Sequence, residues 1–233
     1  MAKLNAGTDS MIQARGINLA LGAEGAATHI LKDVDLDVAA GESVAILGPS
    51  GSGKSSLMAI LSGLERATSG RLTVAGVDYT ELDEDALARA RRGKVGIVLQ
   101  AFHLLPTMTA LENVAVPLEL AGDPGPFEKA RAELAAVGLG HRMTHYPAQL
   151  SGGEQQRVAI ARAVAPRPGI IFADEPTGNL DQSTSDGIVD LLFERQAAAA
   201  ATLIIITHDQ SLADRCGRVV RMRDGEIVSD QRA

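Results

Sequence analysis

The sequence contains a single cysteine, Cys216, no tryptophan, two tyrosines and four phenylalanines in 233 residues. One thiol excludes an intrachain disulfide and any cysteine-only metal site, and it suits a reducing compartment. Positive charge is also scarce: 22 Lys and Arg stand against 29 Asp and Glu, a formal net charge of −7. That balance disfavours a generic nucleic-acid surface, so no nucleic-acid partner is expected, although a local basic patch stays open. Long hydrophobic runs are missing as well. The longest apolar stretch, Ala197 to Ile206, is interrupted by Thr202, whereas a spanning helix needs about 20 residues. The opening Met1-Ala2-Lys3-Leu4-Asn5 turns polar at once, without the apolar core of a secretion signal. The expectation is a chain made and kept in the cytoplasm, which reaches any membrane through a partner.

What is present is ordinary globular material: 45% hydrophobic and 22% charged residues, enough for a sizeable core in one large domain or two intimate subdomains. There is no internal repeat, and the alanines at 197–201 are the sole low-complexity block. Val34, Leu36 and Val38 alternate with Asp33, Asp35 and Asp37, the period of a half-buried strand. Ser43–Leu47, Arg71–Val77, Val95–Leu99, Gly169–Asp174 and Thr202–Thr207 read as further strands, and Arg218–Met222 and Glu226–Val228 as a pair around Asp224-Gly225. Helices are expected over Ser56–Leu64, from Asp83 to Arg92, and from about Ser183 to Ala200. Between about 101 and 165 the pattern is all helical. Thr109 and Glu112 fit a capping box opening a helix to about Leu120, with Pro117 implying a kink or early end. Pro126 suits a helix start and Gly138 its end, and Ser151–Ala165 is stopped by Pro166 and Pro168. The class is α/β with parallel crossovers and a helical insert.

Gly48-Pro49-Ser50-Gly51-Ser52-Gly53-Lys54-Ser55 fits G-x-x-x-x-G-K-[ST] between a buried strand and a helix. Glycines let backbone N–H groups turn toward a phosphate, and the helix N-terminus adds positive charge. In this P-loop Lys54 is expected to reach the β- and γ-phosphates and Ser55 to bind Mg²⁺. The plain alternative is a Gly/Ser-rich turn with a chance lysine, which the correct flanks make remote. Ile170-Ile171-Phe172-Ala173-Asp174 then supplies a buried strand ending in a carboxylate for the metal side, acting through water. Glu175, next in line, is the candidate general base for an attacking water. An Asp-Glu pair closing a strand is commonplace alone and gains meaning from the P-loop.

Leu150-Ser151-Gly152-Gly153-Glu154-Gln155-Gln156-Arg157 opens with a capping box from Ser151 to Glu154, and its two glycines bare backbone at a helix start, a second anion site. This octapeptide resembles the signature motif of ABC-transporter ATPases. Other residues resemble that family in the right order: Gln100 its Q-loop glutamine, Gly178-Asn179-Leu180-Asp181 its D-loop, and His208 its switch histidine. The resemblance runs from about Ile12 to Val228. It implies a P-loop NTPase (RecA-like) core of the ABC ATPase type with an antiparallel β subdomain and a helical subdomain. All of 1–233 would form one domain: core and β subdomain at about 1–100 and 166–233, helical subdomain at about 101–165. It further implies ATP and Mg²⁺, bound by Gly48 to Ser56 (Ser56 included), and a head-to-tail homodimer. There the P-loop of one subunit and Ser151, Gly152, Gly153 and Glu154 of the other close on one ATP, and Asp181 counts among the nucleotide-binding residues. Ser151 and Gly153 would touch the γ-phosphate, His208 would hold that phosphate and the water, and Gln100 would join metal and water to the helical subdomain. Lys54, Gln100, Glu175 and His208 form the catalytic set; Ser55, Gln100 and Asp174 form the metal set.

The segment Phe102 to Val114 and the run Phe172 to Asp181 are similar to the family branch holding the LolD, MacB and FtsE ATPases, and most of all to its YbbA-type members. Membership implies a place on the cytoplasmic face of the cell membrane beside separately encoded permeases of four spans and a large periplasmic domain. Such systems export, extract lipoproteins or transmit force. A solute-importer subunit stays open, since Tyr146-Pro147-Ala148-Gln149 before the signature is compatible with one. A soluble ABC protein acting on ribosomes or DNA is disfavoured by a single P-loop, a single signature and the absence of a coiled-coil or zinc insertion. One residue departs from the family. Its adenine-stacking aromatic is replaced by Leu21, and no aromatic precedes Tyr79. Weaker base stacking and modest discrimination of ATP from GTP are expected.

Overall fold

The computed structural model describes residues 10–22 and 27–232, without the side chain of Gln182. The polar opening at Met1 to Asn5 lies outside the described residues. Among the described residues the fold holds two sheets and seven α-helices. The first sheet holds β1 (Ser10–Leu21), β2 (Thr28–Ala39), β4 (Ser69–Val74) and β5 (Val77–Asp78), antiparallel in the order β2-β1-β4-β5. The second holds β3 (Ser43–Leu47), β6 (Val95–Val98), β7 (Ile170–Asp174), β8 (Thr202–Thr207), β9 (Arg218–Arg223) and β10 (Glu226–Arg232) in the order β10-β9-β3-β8-β7-β6. Its pairs are parallel except the β9–β10 hairpin. The helices are α1 (Lys54–Leu61), α2 (Glu84–Arg91), α3 (Ala110–Leu120), α4 (Pro126–Ala136), α5 (Gly152–Val164), α6 (Gln182–Ala199) and α7 (Gln210–Ala213).

Strands β3, β7 and β8 read as unbroken apolar runs because both of their faces are buried. Successive residues enter two different cores. Ala45, Leu47, Ile171, Ala173, Leu203 and Ile205 join the cluster containing α3, α4, α5 and α6 side chains. Val44, Ile46, Ile170, Phe172, Ile204 and Ile206 join the cluster formed with the antiparallel sheet and α1. Each fully buried Ile or Phe on these strands contributes about 1.5–3 kcal/mol. The register aligns the strand ends: Leu47 lies opposite Thr207, Asp174 opposite Ile206, and Val98 opposite Ala173. One edge of the sheet therefore carries the chain exits of β3, β6, β7 and β8, where open α/β sheets hold ligands.

Several elements differ from the sequence pattern. Strand β1 has no clean alternation because its buried set Ile12, Ala14, Ile17, Leu19 changes phase at Gly16. Gly16 has φ 57° and lies at the register shift against β2, a bulge that moves one residue out of step. The expected strand Arg71–Val77 is a hairpin: Ala75 (φ 49°) and Gly76 (φ 76°) turn the chain between β4 and β5. Helix α1 starts at Lys54, so Lys54 and Ser55 occupy its first turn. Helix α3 reaches Leu120 as expected and does not end early at Pro117, whereas β10 runs to Arg232 rather than ending at Val228.

Candidate functional site

The loop from β3 into α1 curls around its own lysine. Lys54 is 7% exposed, and its Nζ donates to the carbonyls of Gly48 at 2.8 Å and Pro49 at 2.9 Å. The close approach demands glycine at two places. A Cβ on Gly48 would lie 2.4 Å from Met222 O, and one on Gly53 (φ 94°) would lie 2.9 Å from Ile30 O. Gly53 is also the N-cap of α1 and offers no side-chain acceptor, and the first turn of α1 carries no acidic residue. The free N–H groups and positive pole of α1 are thus left for an anion. Ser52 Oγ is buried inside the loop with no hydrogen-bond partner among the described residues.

At the end of β7, Asp174 Oδ1 accepts from Ser55 Oγ at 3.3 Å. Burial pushes the Asp174 carboxyl above the usual carboxylate range; the Ser55 hydrogen bond and Lys54 pull it down, and the neighbouring Glu175 charge adds to the push. The two oxygens are hard donors at the mouth of the P-loop. No group of three or more His, Cys, Asp or Glu converges among the described residues. One carboxylate and one hydroxyl beside a phosphate cradle is a donor set that fits Mg²⁺, which takes few protein ligands and completes its shell with phosphate oxygens and water.

Glu175 has φ 44°, a left-handed conformation uncommon for a non-glycine residue. Its N–H donates to Ile206 O at 2.9 Å, and its carbonyl accepts from Gly178 N at 2.9 Å. Its side chain meets His208, whose Nδ1 lies 2.9 Å from Oε1 and 2.8 Å from Oε2, the geometry of an Nδ1–H donating to a carboxylate. Gln100, just beyond β6, places Nε2 3.4 Å from Asn179 Oδ1 and accepts at its backbone carbonyl from Asn179 Nδ2 at 2.9 Å. A Cβ on Gly178 would meet Gln100 Nε2 at 2.7 Å. One open cleft of about 730 Å³ is lined by Ser50, Gly51, Gly53, Lys54, Ser55 and Ser56 from the P-loop side, and by Gln100, Asp174, Glu175 and His208 across from it.

Ser151, Gly152, Gly153, Glu154 and Asp181 do not line that cleft. Ser151, Glu154 and Asp181 are engaged in local capping. Ser151 Oγ accepts from Glu154 N at 3.3 Å, and Glu154 Oε2 accepts from Ser151 N at 2.9 Å, the reciprocal box at the start of α5. The Ser151 N–H, first, and then the Ser151 hydroxyl and Arg142 hold the Glu154 carboxyl below its usual range, against partial desolvation. Gly153 is pressed against α6, where a Cβ would lie 2.6 Å from Thr184 Cγ2. Asp181 caps α6, accepting from Thr184 N at 3.0 Å and from the hydroxyls of Ser183 and Thr184, which lower its pKa to about 2.

Three polar residues near the site hold backbone carbonyls, a part that the motifs do not reveal. Asn113, fully buried on α3, accepts from Leu105 N and donates to the carbonyls of Leu105, Met108 and Thr109, clamping the loop after Gln100. Arg162 on α5 donates to Phe102 O at 2.8 Å and His103 O at 2.7 Å, across two residues at φ 61° and 46°. Gln156, fully buried on α5, donates to Pro176 O at 2.6 Å. The readable signal for Asn113 and Gln156 is a polar residue on the apolar face of an amphipathic helix, which must find partners when buried.

Comparison with known proteins agrees with this geometry. The family model described as ABC transporter matches residues 31–178. The chain is 50% identical over 203 residues to the uncharacterized ABC transporter ATP-binding protein YbbA of Escherichia coli (strain K12), covering 86% of this chain and 89% of that protein. It is 50% identical over 206 residues to the lipoprotein-releasing system ATP-binding protein LolD of Anaeromyxobacter dehalogenans (strain 2CP-C), covering 87% and 86%. A solved structure titled as the dimeric structure of MJ0796, a bacterial ABC transporter cassette, superposes with a TM-score of 0.87 at 38% identity, covering 95% of this chain and 98% of that one. A second, a dimeric post-hydrolysis state of that cassette bound to ADP and Pi, gives a TM-score of 0.87 at 37% identity with the same coverage.

Proposed function

We infer that this chain, which belongs to the ABC transporter family, is the ATP-binding and ATP-hydrolysing subunit of a membrane transporter whose permease is a separate chain. The observation that carries the chemistry is the meeting of Lys54, Ser55, Asp174, Glu175 and His208 in one cleft at the carboxyl edge of the parallel sheet. In our proposal the P-loop N–H groups and Lys54 hold the phosphates of ATP. Ser55, Asp174 and Gln100 hold Mg²⁺, which when bound neutralises charge on the transferred phosphoryl group. Glu175 orients the attacking water and accepts its proton, and His208, already against that carboxylate, keeps it in place and faces the γ-phosphate.

We propose one domain over 1–233, with the helical part at about 101–165 between core and β segments at about 1–100 and 166–233. Support comes from the shared apolar cluster of α3, α4 and α5. We further propose that two copies pair head to tail, so that Ser151 to Glu154 and the segment at Asp181 of one copy complete the ATP site of the other. Support comes from the signature helix standing outside its own cleft and from the dimeric cassettes that the chain resembles. Among the described residues no helix is long and apolar enough to cross a membrane. A place on the cytoplasmic face of the membrane, beside a permease of the kind served by LolD- and YbbA-like proteins, is the finer reading, and with it work on lipoproteins or force transmission.

Leu21 bears on nucleotide choice. It ends β1, 52% exposed, and offers no ring to a purine. Leu21→Tyr is expected to tighten ATP binding by up to the roughly 1–3 kcal/mol that a base gains on an aromatic side chain. Nucleotide titration checks it. A wild-type preference for ATP over GTP above a thousandfold would show that another group reads adenine.

The permease contact is assigned to Phe102–Val114. Leu104 packs on the core cluster, but Leu105 is 41% exposed on the loop that follows Gln100, where its N–H is tied to Asn113. An exposed apolar residue on the loop that leads from Gln100 is suited to a partner. Leu105→Asp with Met108→Asp should abolish co-purification with the permease while ATP affinity stays within about twofold. Undiminished complex formation by the folded variant would move the docking surface elsewhere.

A further inference from the structure

We propose that Gln156, on the signature helix, is a positioning residue for the base of its own subunit: its buried amide fixes the Pro176 carbonyl and thereby the backbone that aims Glu175. The proposal rests on the assignment of Glu175 as base. Glu175 is strained on two counts: it has φ 44°, and it precedes Pro176, whose ring crowds the residue before it. Such a conformation persists only when its surroundings over-determine it. Upstream, Glu175 N donates to Ile206 O at 2.9 Å, and Gly178 N closes back on Glu175 O at 2.9 Å. Pro176 itself has no N–H to contribute, so its carbonyl, in the following peptide, is the next group by which the strained turn can be held. Gln156 Nε2 donates to it at 2.6 Å.

The glutamine is placed for this contact rather than for general packing. It is 0% exposed, the residues that share its helix face (Ala159, Ile160 and Ala163) are apolar and buried, and its Oε1 is buried with no hydrogen-bond partner among the described residues. An acceptor left unmatched in the core is costly, and an apolar residue of the same size would avoid that cost. What the amide supplies is the single bond to Pro176. The same helix is capped by Ser151, so any displacement of α5 when its N-terminus meets a phosphate travels through Gln156 to Glu175.

The test compares wild type, Gln156→Met, Glu175→Gln and the double variant, each as the full chain, in direct ATP binding and in single-turnover hydrolysis. Methionine keeps volume and removes the donor. Gln156→Met should lower the hydrolysis rate roughly 10- to 100-fold, the range in which small misplacement of a reacting group acts, with ATP affinity within about twofold. Added to Glu175→Gln it should change the residual rate less than twofold, because its effect passes through the carboxylate. If Gln156→Met yields no folded protein, Gln156→Asn, whose amide falls one methylene short of Pro176, carries the same comparison. An unchanged rate in the single variant, an equal loss of binding and rate, or the same fold-loss on top of Glu175→Gln would each overturn the positioning role. Parental activity in Glu175→Gln would instead remove the base assignment and this proposal with it.

Discussion

Glu175→Gln is expected to bind ATP as tightly as the parent and to hydrolyse it some 10²–10⁴-fold more slowly, the usual contribution of a positioned general base. The amide has the carboxylate's shape and can still meet His208 Nδ1, so the cleft should keep its form. It cannot accept the proton of the attacking water. It also removes a negative charge from beside Asp174 and from the neighbourhood of the phosphates, where Glu175 adds to the electrostatic load on the buried aspartate. Both effects point the same way: ATP stays bound, and a dimer closed on it accumulates. Hydrolysis assays and light scattering with ATP read the two consequences together. Near-parental turnover would show that another group takes the proton.

Catalysis is expected to need two chains. Lys54→Ala removes the ammonium that the P-loop wraps and frees the carbonyls of Gly48 and Pro49 that it satisfies. A loss of at least about 10²-fold in rate is expected, as for removal of one preorganised electrostatic stabiliser. Ser151→Arg should be as inactive for another reason, by placing a large cation where α5 must approach the partner's phosphate. Mixing the two inactive chains makes heterodimers with one site carrying both lesions and one carrying neither. If single sites fire independently, the mixture recovers part of the activity. Strictly coupled sites would stay silent, so the wild-type concentration series decides: specific activity should climb steeply with protein concentration, or with permease that pairs the subunits. Full activity from a chain shown to be monomeric would end the composite-site mechanism.

The P-loop was legible because its chemistry is local: glycines, lysine and serine lie in eight consecutive residues between a strand and a helix. Strands β3, β7 and β8 were legible because burial on both faces leaves an uninterrupted apolar run. Where one residue shifts the phase, as at Gly16 in β1, alternation is lost to the eye although both halves obey it. The hairpin at Ala75-Gly76 was concealed by the apolar residues on either side of a two-residue turn. The left-handed backbone at Glu175 has no local signature at all. It is held by the Ile206 carbonyl on a strand distant in sequence and by Gly178 in the same loop, with Gln156 on α5 bonded to the next carbonyl, that of Pro176. Gln156 and Arg162 could be suspected of needing partners, but which carbonyls they would find depends on packing that only the assembled chain defines.

The strand order also sets when a newly made chain can become competent. Strand β3, which launches the P-loop, finds its two sheet partners in β8 and β9, the last third of the sequence. The loop itself leans on that late segment: Gly225 N donates to Ser52 O at 3.2 Å, and Gly48 packs against the Met222 carbonyl. A chain emerging from the ribosome through α5 has made its phosphate loop and its signature helix, yet β3 still has two bare edges and no fixed curl behind Lys54. Contacts of such long sequence separation form slowly, and unpaired apolar strands invite association in the interval. Nucleotide binding is therefore a property acquired near the end of synthesis, and trimming the last two strands would remove the P-loop's support while leaving its sequence untouched.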